Sequence, residues 1–394
     1  MRKILGYGFI LISLIIIAYV FYSNSQYKGI TREFSEYTLL TSSWELYKKK
    51  FINADGRVID FSQDSITTSE GQSYALLRSV WADDKESFDL VWKWTQENLK
   101  RPNDNLFGWR WGERENKSFG FMPEGGDNSA TDADQDIALA LILASARWGD
   151  KTYEENAKKI LADLWKTNTV TASGKRYLIA GNWAQNERDL VLNPSYFAPY
   201  AWRIFAKVDT ERDWNSLVDP AYEVLTNAST QKLDKEKTVG LPPDWVVLDR
   251  TTNELKSPDN LGNFTTNYSF DALRTPWRIA LDAKWNNDAT AKKYLETMCK
   301  PLEEAFRNDK KLVNTYSHDG IKLNEDENAA MYSASLGCFV GRDEAIAQNI
   351  YQNKIVKLYA NDTNTFREDI TYYDQNWLWF GAALYNDYLI PFDK

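Results

Sequence analysis

Histidine is almost absent from this chain of 394 residues and cysteine is scarce: His318 stands alone, beside Cys299 and Cys338. A lone histidine obliges any Ser-His-Asp or Cys-His mechanism to run through that one residue, and it leaves too few nitrogen and sulfur ligands for an ordinary zinc site. The two cysteines either pair, as they would outside the cell, or stay two buried thiols; neither state bears on catalysis. Basic clusters are missing too. With a formal net charge of −9 and no stripe of Lys and Arg, the chain lacks what displaces counterions from a phosphate backbone, which argues against a nucleic-acid partner. A hydrophobic share of 43% and a charged share of 26% argue against disorder and fibrous repeats.

Aromatic residues are in excess, with 16 Trp and 22 Tyr. Flat rings with a polar edge suit the apolar faces of sugars, although a large core uses the same residues.

Arg2 and Lys3 precede an uncharged run of 19 residues, Ile4 to Tyr22, long enough to cross a bilayer as one helix with the basic flank in the cytoplasm. The expected organisation is a signal anchor and short linker over residues 1–30, and a single folded domain over 31–394 on the outer side of the cell membrane. A cleaved signal peptide competes with this reading, but Ser23-Asn24-Ser25 is a poor cleavage site and the run is long for a secretory segment. Both place the domain outside the cytoplasm.

Two kinds of helix alternate along the rest. From Tyr153 to Lys166, Tyr153, Ala157, Ile160, Leu161 and Leu164 share one face, as in a helix that covers a core from outside. Ile137 to Ala146 is apolar nearly all round, so it must be buried on most sides. Inner helices are expected to begin near Glu70, Asp132, Tyr196, Thr265, Asn328 and Tyr373, with outer ones at 33–50, 84–99, 152–167, 211–229, 286–307 and 343–359. Six such pairs close naturally into an all-α double ring, an (α/α)6 barrel; an open solenoid is the alternative. In the ring the inner helices run parallel and their N-termini gather at one mouth, decorated by short extended pieces such as Arg176–Ala180 and Val246–Asp249.

Acidic residues stand at that mouth. Glu70, in Ser69-Glu70-Gly71-Gln72-Ser73-Tyr74, is either a first-turn acid complementing the helix dipole or a proton donor. Asp132, Asp134 and Asp136 open a wholly apolar helix, which is costly unless they line a polar cavity or bind a cation; the Gly and Glu positions of an EF-hand are missing. Asp271 and Arg274, read as i, i+3 on one helical face, place a cation beside a carboxylate. Separated carboxylates at an aromatic mouth, one protonating the leaving oxygen and another serving as base or nucleophile, are what glycoside hydrolysis requires. A polysaccharide lyase and a non-catalytic polysaccharide-binding protein are the rival readings.

The motifs resemble those of glycoside hydrolase family 8. Ala130-Thr131-Asp132-Ala133-Asp134, followed by Ile137-Ala138 and ending at Trp148, carries the likeness. It is supported by Glu70 through Tyr74, Trp109-Arg110-Trp111-Gly112, Asn193 through Pro199, Pro243-Asp244-Trp245 and Asp271 through Arg278. The resemblance implies an inverting mechanism without cofactor or metal. Glu70 would be the proton donor, Asp271 the base, Asp132 a grip on the sugar at the cleavage point, and Tyr196 a holder of the attacking water. Trp111, Trp183, Phe270 and Tyr372 would stack on sugars, with Arg274 and Asp134 among the substrate-binding residues. Phe270 stands where the family often has Tyr, and some members place the base elsewhere. The tethered N-terminus leads us to expect an endo-acting enzyme on a self-made β-linked polysaccharide, a β-1,4-glucan first, beside an exopolysaccharide synthase complex.

Overall fold

The computed structural model describes residues 39–360, 365–367 and 370–392; the apolar run 4–22 and the boundary at residue 30 lie outside them. Among the described residues no helix is long and apolar enough to cross a membrane. Twelve α-helices follow one another there, and they alternate as the periodicity predicts. The outer ones are α1 (39–51), α3 (Lys85–Asn98), α5 (Lys151–Thr167), α7 (Val218–Thr230), α9 (Ala289–Asp309) and α11 (Glu344–Ile350). The inner ones are α2 (Ser69–Trp81), α4 (Thr131–Trp148), α6 (Pro199–Val208), α8 (Thr275–Asn286), α10 (Ala329–Phe339) and α12 (Tyr372–Tyr385).

Neighbouring inner helices pack in chain order from α2 to α12. Side chains of α2 and α12 close the ring: Tyr74 meets Phe380 edge to face with centroids 5.3 Å apart, and Arg78 donates to Asn376 at 2.9 Å. Trp277 occupies the barrel centre against Trp81, Tyr200, Trp377 and Phe380. Two glycines let inner helices approach closely: a Cβ on Gly337 would lie 2.3 Å from the Pro276 carbonyl oxygen, and one on Gly381 2.4 Å from that of Ser333. Beneath the mouth, Arg278 of α8 holds Asp136 of α4 through two hydrogen bonds of 2.9 and 2.7 Å and bonds Tyr200 of α6 at 3.0 Å.

Helix α1 runs toward the mouth. Phe51, at its last turn, packs 6.4 Å from the ring of Tyr372, while the Leu40 carbonyl near its start accepts from Trp379, two turns down α12. The described chain therefore enters the barrel on the side away from the mouth. Short antiparallel strands decorate the mouth itself: β1 (Thr67–Thr68), β2 (Arg110–Glu113) and β3 (Phe119–Phe121); the hairpin β4 (Thr169–Ala172) and β5 (Lys175–Leu178); and β6 (Asp189–Leu192), β7 (Val246–Asp249) and β8 (Leu255–Lys256).

Two inner helices start later than their patterns suggest. Near Tyr196 the chain forms only a 3-10 turn, Pro194–Tyr196, capped by Asn193, and α6 begins at Pro199; the residue before a proline resists helical geometry. The fourth inner helix begins ten residues beyond Thr265, because that segment bonds elsewhere. Thr265 and Asn267 accept from the backbone of Trp245 and Asp244, Tyr268 pairs with Tyr316, and Pro276 fixes the first turn of α8. Asp271 thus precedes a 3-10 turn, Ala272–Arg274, instead of lying on an α-helical face.

Cys299 of α9 and Cys338 of α10 form a disulfide, with Cα atoms 5.3 Å apart and a separation of 39 positions in sequence. Closing a loop of that length removes about 4 kcal/mol of unfolded-chain entropy. Replacing both cysteines by alanine should lower the unfolding free energy by about that amount, read from urea midpoints; equal midpoints would show that the bond is idle.

Candidate active site

The N-terminal ends of all six inner helices, or the turns just before them, line one cleft of about 640 Å³, with Glu70, Asp132, Tyr196, Asp271, Asn328 and Tyr372 supplied in chain order. Each helix start carries roughly half a positive charge in unsatisfied N–H groups, so a mouth built from six of them favours negative side chains.

Arg274 stands at the centre, 2% exposed. Its Nη1 donates to Glu70 Oε2 at 2.6 Å and to Asp132 Oδ2 at 3.0 Å, its Nη2 pairs with Asp271 Oδ1, and its Nε donates to the Asp271 carbonyl at 3.1 Å. The guanidinium carbon lies 5.2 Å from the centre of the Tyr196 ring. Three carboxyl groups far apart in sequence, two on inner helices and one on the turn before a third, thus share one cation.

Their surroundings differ. Glu70 has 22% of its side chain exposed and its Oε1 accepts from Tyr372 at 3.2 Å. Burial pushes its carboxyl up to about 7; Arg274 pulls against this, and the charges of Asp132 and Asp271 add to it. Asp132 is 3% exposed and its Oδ1 has no protein donor. Burial moves its carboxyl upward as well. Asp271 has 31% of its side chain exposed and receives a donor on each oxygen, Arg274 on Oδ1 and Trp245 Nε1 on Oδ2 at 3.0 Å.

Of the residues singled out in the sequence, Glu70, Asp132, Tyr196, Phe270, Asp271, Arg274 and Tyr372 meet in this cleft. Phe270, 48% exposed, offers an open ring face. Tyr372 does not: it is buried beside Gly71, and it contributes its hydroxyl to Glu70 and Thr68 in place of a stacking plate. Asp134 is fully buried outside the cleft, where Oδ1 accepts from the Phe107 backbone at 3.0 Å, which corrects its reading as a substrate ligand. The Asp132, Asp134 and Asp136 side chains diverge toward Arg274, Phe107 and Arg278, so they form no common ion cage. Trp111 and Trp183 flank the cleft. Trp111 is packed among Trp94, Arg57 and Phe119, and Trp183 leans on Trp245 and Phe264.

Sequence reasoning passed over several cleft residues. Trp109, 38% exposed, lines the cavity two residues before Trp111. Tyr373, beside Tyr372, donates to the Phe270 carbonyl at 2.5 Å. The WRWG and Tyr-Tyr pairs were visible, but which member faces the cavity depends on strand and helix phase at the very first residue. His318 lies elsewhere, bonded to the Gln231 carbonyl at 2.7 Å.

Comparison with known proteins places this geometry. Residues 15–378 match the Glycosyl hydrolases family 8, and the chain belongs to that family. It is 34% identical over 240 residues to an endoglucanase of Cellulomonas uda, covering 61% of this chain and 63% of that protein. It is 30% identical over 330 residues to endoglucanase A of Acetivibrio thermocellus, covering 80% of this chain and 64% of that protein. The chain therefore spans less than two thirds of the length of either relative. The crystal structure of an endo-1,4-D-glucanase from Vibrio fischeri ES114 superposes with a TM-score of 0.75 at 26% identity, covering 88% of this chain and 94% of that one. The fold is the (α/α)6 barrel.

The Glu70 environment has a consequence for stability. Its carboxyl rises on folding from 4.5 to about 7, so the native state holds that proton more tightly than the unfolded chain does. The resulting stabilisation is complete below about pH 4.5 and is lost as the pH climbs through about 7. Glu70→Gln should thus gain in Tm relative to the parent across this interval; a difference that stays flat with pH would refute the account. Arg274→Met, which strands three acids without their cation, should cost about 3–5 kcal/mol by denaturant unfolding at neutral pH.

Proposed function

We propose that the chain is an inverting, endo-acting glycoside hydrolase that cuts a β-linked polysaccharide, with a β-1,4-glucan as the leading substrate. The observation that carries this is the pairing of Glu70 and Asp271 on separate nitrogens of Arg274, inside an open cleft and in unlike surroundings. Glu70, held near neutrality by burial, gives its proton to the glycosidic oxygen. Asp271 draws a proton from a water that attacks the sugar carbon from the opposite face, so the configuration inverts. The unpartnered Asp132 Oδ1 accepts a hydroxyl of the sugar at the cleavage point, which removes the cost of a buried oxygen without a donor. Phe270 and Trp109 present rings to neighbouring sugar units. The names of the relatives, endoglucanases in both cases, support a glucan.

We place this activity outside the cytoplasm, with the run 4–22 as a membrane anchor and a self-made exopolysaccharide, met beside its synthase, as the polymer. The entry of the described chain on the side away from the mouth favours this arrangement, since an anchor there leaves the cleft facing outward.

Glu70→Gln and Asp271→Asn should each lower kcat on β-1,4-glucan by roughly 10²–10⁴-fold while the polymer is still bound. Proton NMR of the first products should show the α-anomer from a β-linked substrate. Undiminished biofilm function in Glu70→Gln would favour a binding protein on the same scaffold, and unsaturated uronate products would indicate a lyase.

A further inference from the structure

We infer that the adjacent residues Asp244 and Trp245 are the positioning device for Asp271, one fixing the turn that carries it and the other fixing its carboxylate. The inference rests on the hydrolase reading above and extends it to residues that do no chemistry themselves.

Asp244 is 4% exposed and stands behind the turn. Its Oδ1 accepts from the backbone of Ser269 at 3.1 Å and of Ala272 at 2.7 Å, and its Oδ2 accepts from the Ser269 hydroxyl. The residues on either side of Asp271 are thereby tied to one buried carboxylate. Trp245 reaches the other end of the same group, donating Nε1 to Asp271 Oδ2 at 3.0 Å. The main chains are joined as well, Asp244 N to the Asn267 carbonyl at 2.6 Å and Trp245 N to that of Thr265 at 3.1 Å.

The Trp245 ring is not free to serve a sugar. It is 9% exposed, stacked at 4.1 Å and 9° on Phe264, with Tyr196 edge-on at 6.0 Å. What it offers the cleft is its N–H. Strand β7 begins at the next residue and pairs with β6 from Leu192–Val246 to Asp189–Asp249, so the sheet sets the indole as a fixed donor. A base that must take a proton from water in one orientation gains from such double support, because small displacements of catalytic groups cost large factors in rate.

The test compares the parent enzyme with Trp245→Phe and Asp244→Asn on a polysaccharide that the parent cleaves. Trp245→Phe keeps an aromatic ring in the stack on Phe264 and removes the indole N–H together with the five-membered ring that carries it. We expect kcat to fall roughly 10- to 100-fold with KM within about twofold and Tm unchanged. Asp244→Asn should show the same division between kcat and KM, and it carries the test should Trp245→Phe fail to fold. A Trp245→Phe enzyme with parental kcat, or one in which KM alone changes, overturns the proposal. A parent without activity on any polysaccharide removes the hydrolase reading and this proposal with it, whereas an active parent with unaffected variants removes only the proposal.

Discussion

Arg274 brings Glu70, Asp132 and Asp271 within hydrogen-bonding reach of a single positive charge at a mouth where each helix start already favours anions. Were all three acids ionised, the cluster would keep an excess of negative charge in a partly dry setting. Such an excess is relieved most cheaply by leaving a proton on one member. Glu70 is suited to hold it: burial and its two acidic neighbours act together there, against Arg274 and a hydrogen bond from Tyr74. A carboxyl that keeps its proton close to neutral pH follows from burial and a shortage of cations, without any special property of glutamate.

The barrel exists in service of that cluster. Asp132 and Asp136 are one turn apart on α4, and Arg274 and Arg278 are four residues apart at the head of α8, so the two segments make two rungs. The upper rung, Asp132 with Arg274, borders the cleft; the lower, Asp136 with Arg278, is sealed in the core. Inward-facing side chains as bulky as Trp277, Tyr200 and Trp377 fill the space beneath and keep the rungs in register. The same ion pairing is thus sealed in the core at one depth and opens on the cleft one turn higher.

How much of this was legible in the sequence depends on the range over which a pattern acts. The all-round apolar run of α4, buried from Thr131 to Ser145, and the one-sided stripe of α5 declare inner and outer helices without outside help, since burial is read directly from periodicity. Glu70 was legible as a residue of the mouth because it opens a buried inner helix, although a first-turn acid that complements the helix dipole looks the same in sequence. Asp134 was not, because in a helix surrounded on every side no face is marked as the one toward the cavity. The later start of α8 escaped for another reason: hydrogen bonds from the 244–245 segment claim Thr265 and Asn267, and such pairings leave no periodic trace. Tyr372 reads as a stacking ring in the sequence, whereas the structure buries the ring and turns its hydroxyl to Glu70 and Thr68.

Helix α1 comes into the barrel from the end remote from the opening, with Phe51 finishing beside Tyr372. The described chain therefore begins, at residue 39, on the face opposite the cleft. For anyone wishing to graft this domain onto a bead, an electrode or a partner protein, the upstream end is the handle that leaves the opening unobstructed. A graft through the segment carrying Trp109 would crowd the cleft itself.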